Sequence, residues 1–92
     1  MARVVLTRHI FQFFPLLEGK ELDVDGSTVA EIVARLETMA PGVRFYLCDE
    51  RDRLRTHVNI FVDEKRVRDR ARLSDPVGPD SVVHILQALS GG

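Results

Sequence analysis

The residues of this chain that could do chemistry are few, and the most suggestive pair closes the sequence: Gly91 and Gly92. Neither has a Cβ, so the backbone there can take positive φ and enter a channel where any other residue would clash. Such an end offers a carboxylate on a slim stalk. A bare carboxylate is a poor acyl donor because oxide or hydroxide leaves badly, so it must be converted to an anhydride before a nucleophile can attack it. Taken alone, a terminal Gly-Gly is also what a frayed end looks like.

Other candidates are weaker. His9, His57 and His84 are widely separated and lack the i, i+4 spacing of a helical metal or catalytic motif, so they read as ordinary strand histidines and no metal site is expected. Cys48 is the only cysteine, which rules out an intramolecular disulfide and a cysteine-rich zinc or iron–sulfur site. Nothing beside it in sequence would lower a thiol pKa, so a buried, inert cysteine is expected. Lys65, Arg66, Arg68, Arg70 and Arg72 gather against one opposing charge, Asp69. Such a cluster could meet phosphates or an acidic surface, but no aromatic stacking residue interleaves it and the formal net charge of the chain is −1. A solvated hairpin and loop is the better reading, with neither nucleic acid nor membrane as a partner.

The elements that position these residues follow from pattern. At 92 residues, 45% hydrophobic and 29% charged, the chain is expected to form one packed domain. The opening apolar run is interrupted by Thr7, Arg8 and His9 and lacks the length of a secretory core or membrane span, so a cytoplasmic protein is expected. Residues 4–11 read as a strand, and Leu22 and Val24, alternating with Glu21, Asp23 and Asp25, as a second with one wet face. Thr28 and Glu31 form a capping-box signature. Val29, Ile32, Val33, Leu36 and Ala40 then make one helical stripe, with Glu31 and Arg35 outside it, and Pro41-Gly42 ends the helix.

Residues 43–47 read as a short partial strand and residues 49–55 as a solvated loop. Residues 58–62 form a clear strand, Asp63-Glu64-Lys65 a turn, and Arg66-Val67-Arg68 a return strand. Residues 82–86 read as a final buried strand. In the 58–62 strand, inward Val58, Ile60 and Val62 would leave Asn59 and Phe61 on the opposite face. Phe11, Phe13, Phe14, Leu16 and Leu17 would cap the open end of the core. The order strand, strand, helix, strand, hairpin strand, strand is an α+β layout of β-grasp type, a mixed four- to five-stranded sheet with one main helix across one face. Residues 1–86 form that domain and residues 87–92 a flexible tail.

The segment Val58-Asn59-Ile60-Phe61-Val62, the following Val67 and Arg68, the last strand with its lead-in Asp80-Ser81, and the ending Ala88-Leu89-Ser90-Gly91-Gly92 together resemble the MoaD/ThiS family of ubiquitin-like sulfur carriers. The long segment after the helix and the His57-Val58-Asn59-Ile60 entry are more similar to the cysteine-synthesis branch than to the shorter thiamine carriers. Gln87 stands where many relatives carry a proline, which leaves the exit angle of the tail open.

The resemblance implies that the chain is not an enzyme. It would be the substrate of an E1-like adenylating enzyme that uses ATP, the chain itself binding no cofactor, and then the sulfur donor to a biosynthetic enzyme. It implies Gly92 as the reacting carboxyl, Gly91 as clearance, and Phe61, Leu86, Leu89 and Ser90 as docking contacts. A modifier joined to lysines, or a β-grasp interaction module that is never activated, are the alternatives.

Overall fold

A computed structural model describes residues 1–18 and 22–87 of the chain. Its first strand, β1 (Ala2–Leu6), alternates as its sequence dictates: Ala2, Val4 and Leu6 are buried while Arg3 and Val5 face outward. Beside it β2 (Leu22–Val24) pairs antiparallel, and Arg3 and Asp23 meet across the wet face at 3.1 Å. The helix α2 (Val29–Met39) begins where the capping box placed it, with Thr28 Oγ1 accepting from the Glu31 N–H at 3.2 Å. The Glu31 carboxylate closes the box one residue early, on the Ser27 N–H at 2.8 Å, and this bond is the main cause of its lowered pKa. All five expected stripe residues, from Val29 to Ala40, are buried.

Two strand expectations fail because helices form there, and of the residues expected to cap the core Phe13 and Leu16 are exposed. Residues 4–11 are not one strand. β1 ends at Leu6, the Thr7 N–H reaches Ile85 O at 3.2 Å, and the chain winds into α1 (Arg8–Phe13) and a 3-10 turn (Pro15–Leu17). The inward residues Ile10, Phe14 and Leu17 recur at i, i+4 and i+7, so the apolar period here is helical and not two. Residues 43–47 form the short helix α3 (Val43–Leu47) in place of a partial strand. Gly42 takes φ 101°, a left-handed value suited to glycine, and the Glu37 carboxylate accepts from the N–H groups of Gly42 and Arg44 at 3.0 and 2.9 Å. Those bonds satisfy the amides at the start of α3 and hold Glu37 below the usual carboxylate range.

The remaining strands are β3 (Val58–Val62), β4 (Lys65–Arg66) and β5 (Val82–Gln87). Asp63 and Glu64 both sit at positive φ, 49° and 72°, which makes a two-residue primed turn, so the return strand starts one residue earlier than expected and leaves out Val67 and Arg68. The sheet order is β2-β1-β5-β3-β4, with β5 central, parallel to β1 and antiparallel to β3. Between β4 and β5 the chain is pinned by carboxylates. Asp75 accepts from the N–H groups of Arg68 and Asp69, and the Asp63 carboxylate accepts from the Val82 N–H and the Ser81 hydroxyl. Among the described residues no helix is long and apolar enough to cross a membrane.

Candidate functional site

The geometry of interest is the C-terminal end of β5. Its final residue, Gln87, pairs with Val58 of β3, so the strand runs one residue past the expected end at Leu86. The Tyr46 hydroxyl of α3 donates to Gln87 Oε1. Tyr46 is in turn held between two rings of the α1 region, Phe13 at 5.3 Å and Phe14 edge-on at 5.4 Å between centroids. Gln87, the last described residue of β5, is therefore fixed by a side-chain bond. Leu89, Ser90, Gly91 and Gly92, the other positions expected to act, lie outside the described residues.

Strand register places the two remaining candidates on one surface. Phe61 stands opposite His84, and Leu86 opposite Asn59, so Phe61 and Leu86 are diagonal neighbours on the face of the sheet turned away from α2. Val58 and Ile60 are fully buried on the other face, as the period-two reading requires, and Val62 is half-buried. A row runs across four strands: Val5, His84, Phe61 and Arg66. Leu86 is 38% exposed, and the Arg66 guanidinium lies 5.8 Å from the centroid of the half-buried Phe61 ring. The surface thus sets Phe61 and Leu86 beside the polar His84 and Asn59 and is cationic at one edge.

The basic segment does not act as one patch. Arg70 is drawn inward, donating to Asn59 Oδ1 at 3.2 Å and to the carbonyls of Arg55 and Val58 at 2.6 and 2.8 Å. Arg66 covers Phe61, while Arg68 and Arg72 are exposed. Cys48 is buried, and that burial pushes its thiol pKa up, away from a reactive thiolate. Among the described residues no group of three His, Cys, Asp or Glu side chains could hold a metal ion. What sequence reasoning missed is the Phe13–Tyr46–Gln87 contact. The adjacent aromatic residues Phe13 and Phe14 were its only visible signal, because Tyr46 and Gln87 are 41 positions apart.

A five-stranded mixed sheet crossed by one long helix, its central strand carrying the C-terminal end, defines a ubiquitin-like β-grasp domain. The sequence matches the ThiS family over residues 8–92, and the chain belongs to that family of MoaD/ThiS-type sulfur carriers. No curated protein matches it significantly. Among solved structures it is similar to a chain of the Amycolatopsis orientalis BexX/CysO complex, with 25% identity, a TM-score of 0.83 and all of both chains covered. It is also similar to Mycobacterium tuberculosis CysO, with 24% identity, a TM-score of 0.82, and 97% of this chain and 100% of that chain covered. A third likeness is to the small archaeal modifier protein 1 of Methanosarcina acetivorans, with 20% identity, a TM-score of 0.77, and coverage of 99% and 95%.

Proposed function

We propose that the chain is a carrier whose working group is the C-terminal carboxylate of Gly92, and that it acts as a protein substrate in the cytoplasm without being an enzyme. The carboxylate attacks the α-phosphorus of ATP in the site of an E1-like adenylating enzyme, pyrophosphate leaves, and an acyl-adenylate results. A sulfur nucleophile then attacks the carbonyl and expels AMP, leaving a thiocarboxylate that a biosynthetic enzyme consumes. The observation that carries this reading is that the family match runs through residue 92 and so includes Gly91 and Gly92. The likeness over full length to a chain of the BexX/CysO complex supports a carrier of the CysO branch that works with a partner enzyme, the acceptor being of cysteine, molybdopterin or thiamine type.

In this scheme ATP belongs to the partner and the chain holds no cofactor. Gly91 provides clearance, Leu89 and Ser90 line the threaded tail, and Phe61 with Leu86 docks the sheet face against the partner. The division suits the fold: the body docks through surface while the tail supplies reach.

The test is intact mass of the chain after expression beside a candidate adenylating enzyme and a sulfur source. Replacement of one oxygen by sulfur, lost on deletion of Gly92, is the expected result. Lysine adducts on other proteins would instead identify a modifier. Full biological activity without Gly92 would identify a binding module and refute activation altogether.

A further inference from the structure

The last two described residues of β5 face two different surfaces, and only one of them belongs to the sheet. Along β5, Leu86 faces outward with Phe61, while the next residue, Gln87, turns to the helix side and meets Tyr46. On that side the helices that form the cluster leave large apolar groups in water. Phe13 of α1 is 60% exposed, Leu16 in the turn that follows is also 60% exposed, and Phe45 of α3 is 61% exposed. The Arg55 guanidinium lies 5.6 Å from the centroid of the Phe45 ring. Phe13 is not covering core, since Ile10, Phe14 and Leu17 do that from the same segment. Its ring is spent on Tyr46, which holds the last residue before the tail.

We propose that this α1–α3 cluster, centred on Phe13 and Tyr46, is a second docking surface for the adenylating enzyme, which grips the base of the tail from the helix side while the sheet face is held from the other. The inference rests on the function proposed above. Five residues follow Gln87, and fully extended they span about 17 Å. An enzyme that brings its ATP site to Gly92 must therefore approach within that distance of Gln87, and the Phe13–Tyr46 cluster lies one side chain from Gln87. The occupant is thus an enzyme surface, apolar where it covers Phe13, at the mouth of the channel that admits the tail. Tyr46 adds positioning, because its bond to Gln87 fixes where the tail begins.

The experiment uses the full chain and the adenylating enzyme that converts it in the mass assay, and reads carrier-dependent ATP–pyrophosphate exchange. Phe13→Ala is expected to raise the KM for the carrier about tenfold with kcat unchanged. Phe13→Leu, which keeps an apolar side chain, is expected to restore most of it. Because Phe13→Ala also removes one ring from Tyr46, its unfolding midpoint is measured as well and KM is compared at a temperature where both proteins are fully folded, which separates docking from folding. A KM within about twofold of the unmodified chain overturns the proposal, as does a fall in kcat at constant KM. Concentration-dependent self-association that Phe13→Ala abolishes would assign the surface to a second copy of this chain and equally overturn it. If no adenylating enzyme converts the unmodified chain, the carrier function fails first. If conversion occurs and Phe13→Ala behaves normally, only this inference fails.

Discussion

Arg70 looks in sequence like one more solvated cation, and the structure makes it a clamp, so replacing it with alanine should destabilise the fold. Its guanidinium donates to the carbonyls of Arg55 and Val58 and to Asn59 Oδ1, tying the entry of β3 to the loop that follows β4. A hydrogen bond involving a charged group contributes about 1.5–3 kcal/mol when buried. These three share one part-buried side chain and are not additive, and water can reach some of the freed acceptors. We therefore expect a loss of about 2 kcal/mol for Arg70→Ala. For a domain of this size, that corresponds to a fall in Tm of about 8–16 °C. The assay is urea and thermal unfolding followed by circular dichroism, with Arg68→Ala and Arg72→Ala as exposed controls expected to stay within about 0.5 kcal/mol. Arg70→Lys should recover little, because a single ammonium cannot span the acceptors the planar fork reaches. A loss below about 0.5 kcal/mol for Arg70→Ala, or full recovery with lysine, would refute the reasoning.

Three further outcomes can be checked with the same instruments. Thr28→Ala removes the acceptor of the Glu31 N–H and should cost about 1 kcal/mol of stability in urea titrations, with serine restoring most of it. Glu64→Gly relieves a side chain held at φ 72° and should stabilise the hairpin by about 0.5 kcal/mol; destabilisation would show that the turn depends on the glutamate itself. The Asp63 carboxyl is held below its usual range, first by the Val82 N–H and then by the Ser81 hydroxyl, and Asp69 and Glu37 are lowered by similar bonds. Because each folded-state pKa is depressed, the stability these groups add is present above the unfolded value near 4 and lost as pH falls below it. The urea midpoint should therefore drop between pH 6 and pH 3, and Asp69→Asn should flatten that dependence; a midpoint indifferent to acid would contradict it.

How far the sequence disclosed the fold depends on segment length and on which period dominated. α2 was legible in full because a cap, a five-membered stripe and a Pro-Gly stop all agree over three turns. β3 and β5 were legible because short β-branched runs bounded by turn residues have few other readings. α1 was misread because aromatic and β-branched residues favour strands locally, while the inward set Ile10, Phe14 and Leu17 becomes visible only across seven positions. α3 has five residues, too few to show a period, and its cause lies in Glu37, on a different helix. At the site, alternation along β3 was enough to put Phe61 on the outward face, and the register with β5 brought Leu86 beside it. The ring contacts around Tyr46 join segments distant in sequence, and no local spacing encodes such a meeting.

The position of β5 has a mechanical consequence. Force arriving through Gln87 is directed along the axis of a strand laddered on both sides, to β1 and to β3. Tension in that direction loads both rows of bonds in shear, all at once, and cannot peel them one by one as it would at a sheet edge. A pull on Gln87 must therefore overcome the two ladders together before β5 can slip from the sheet.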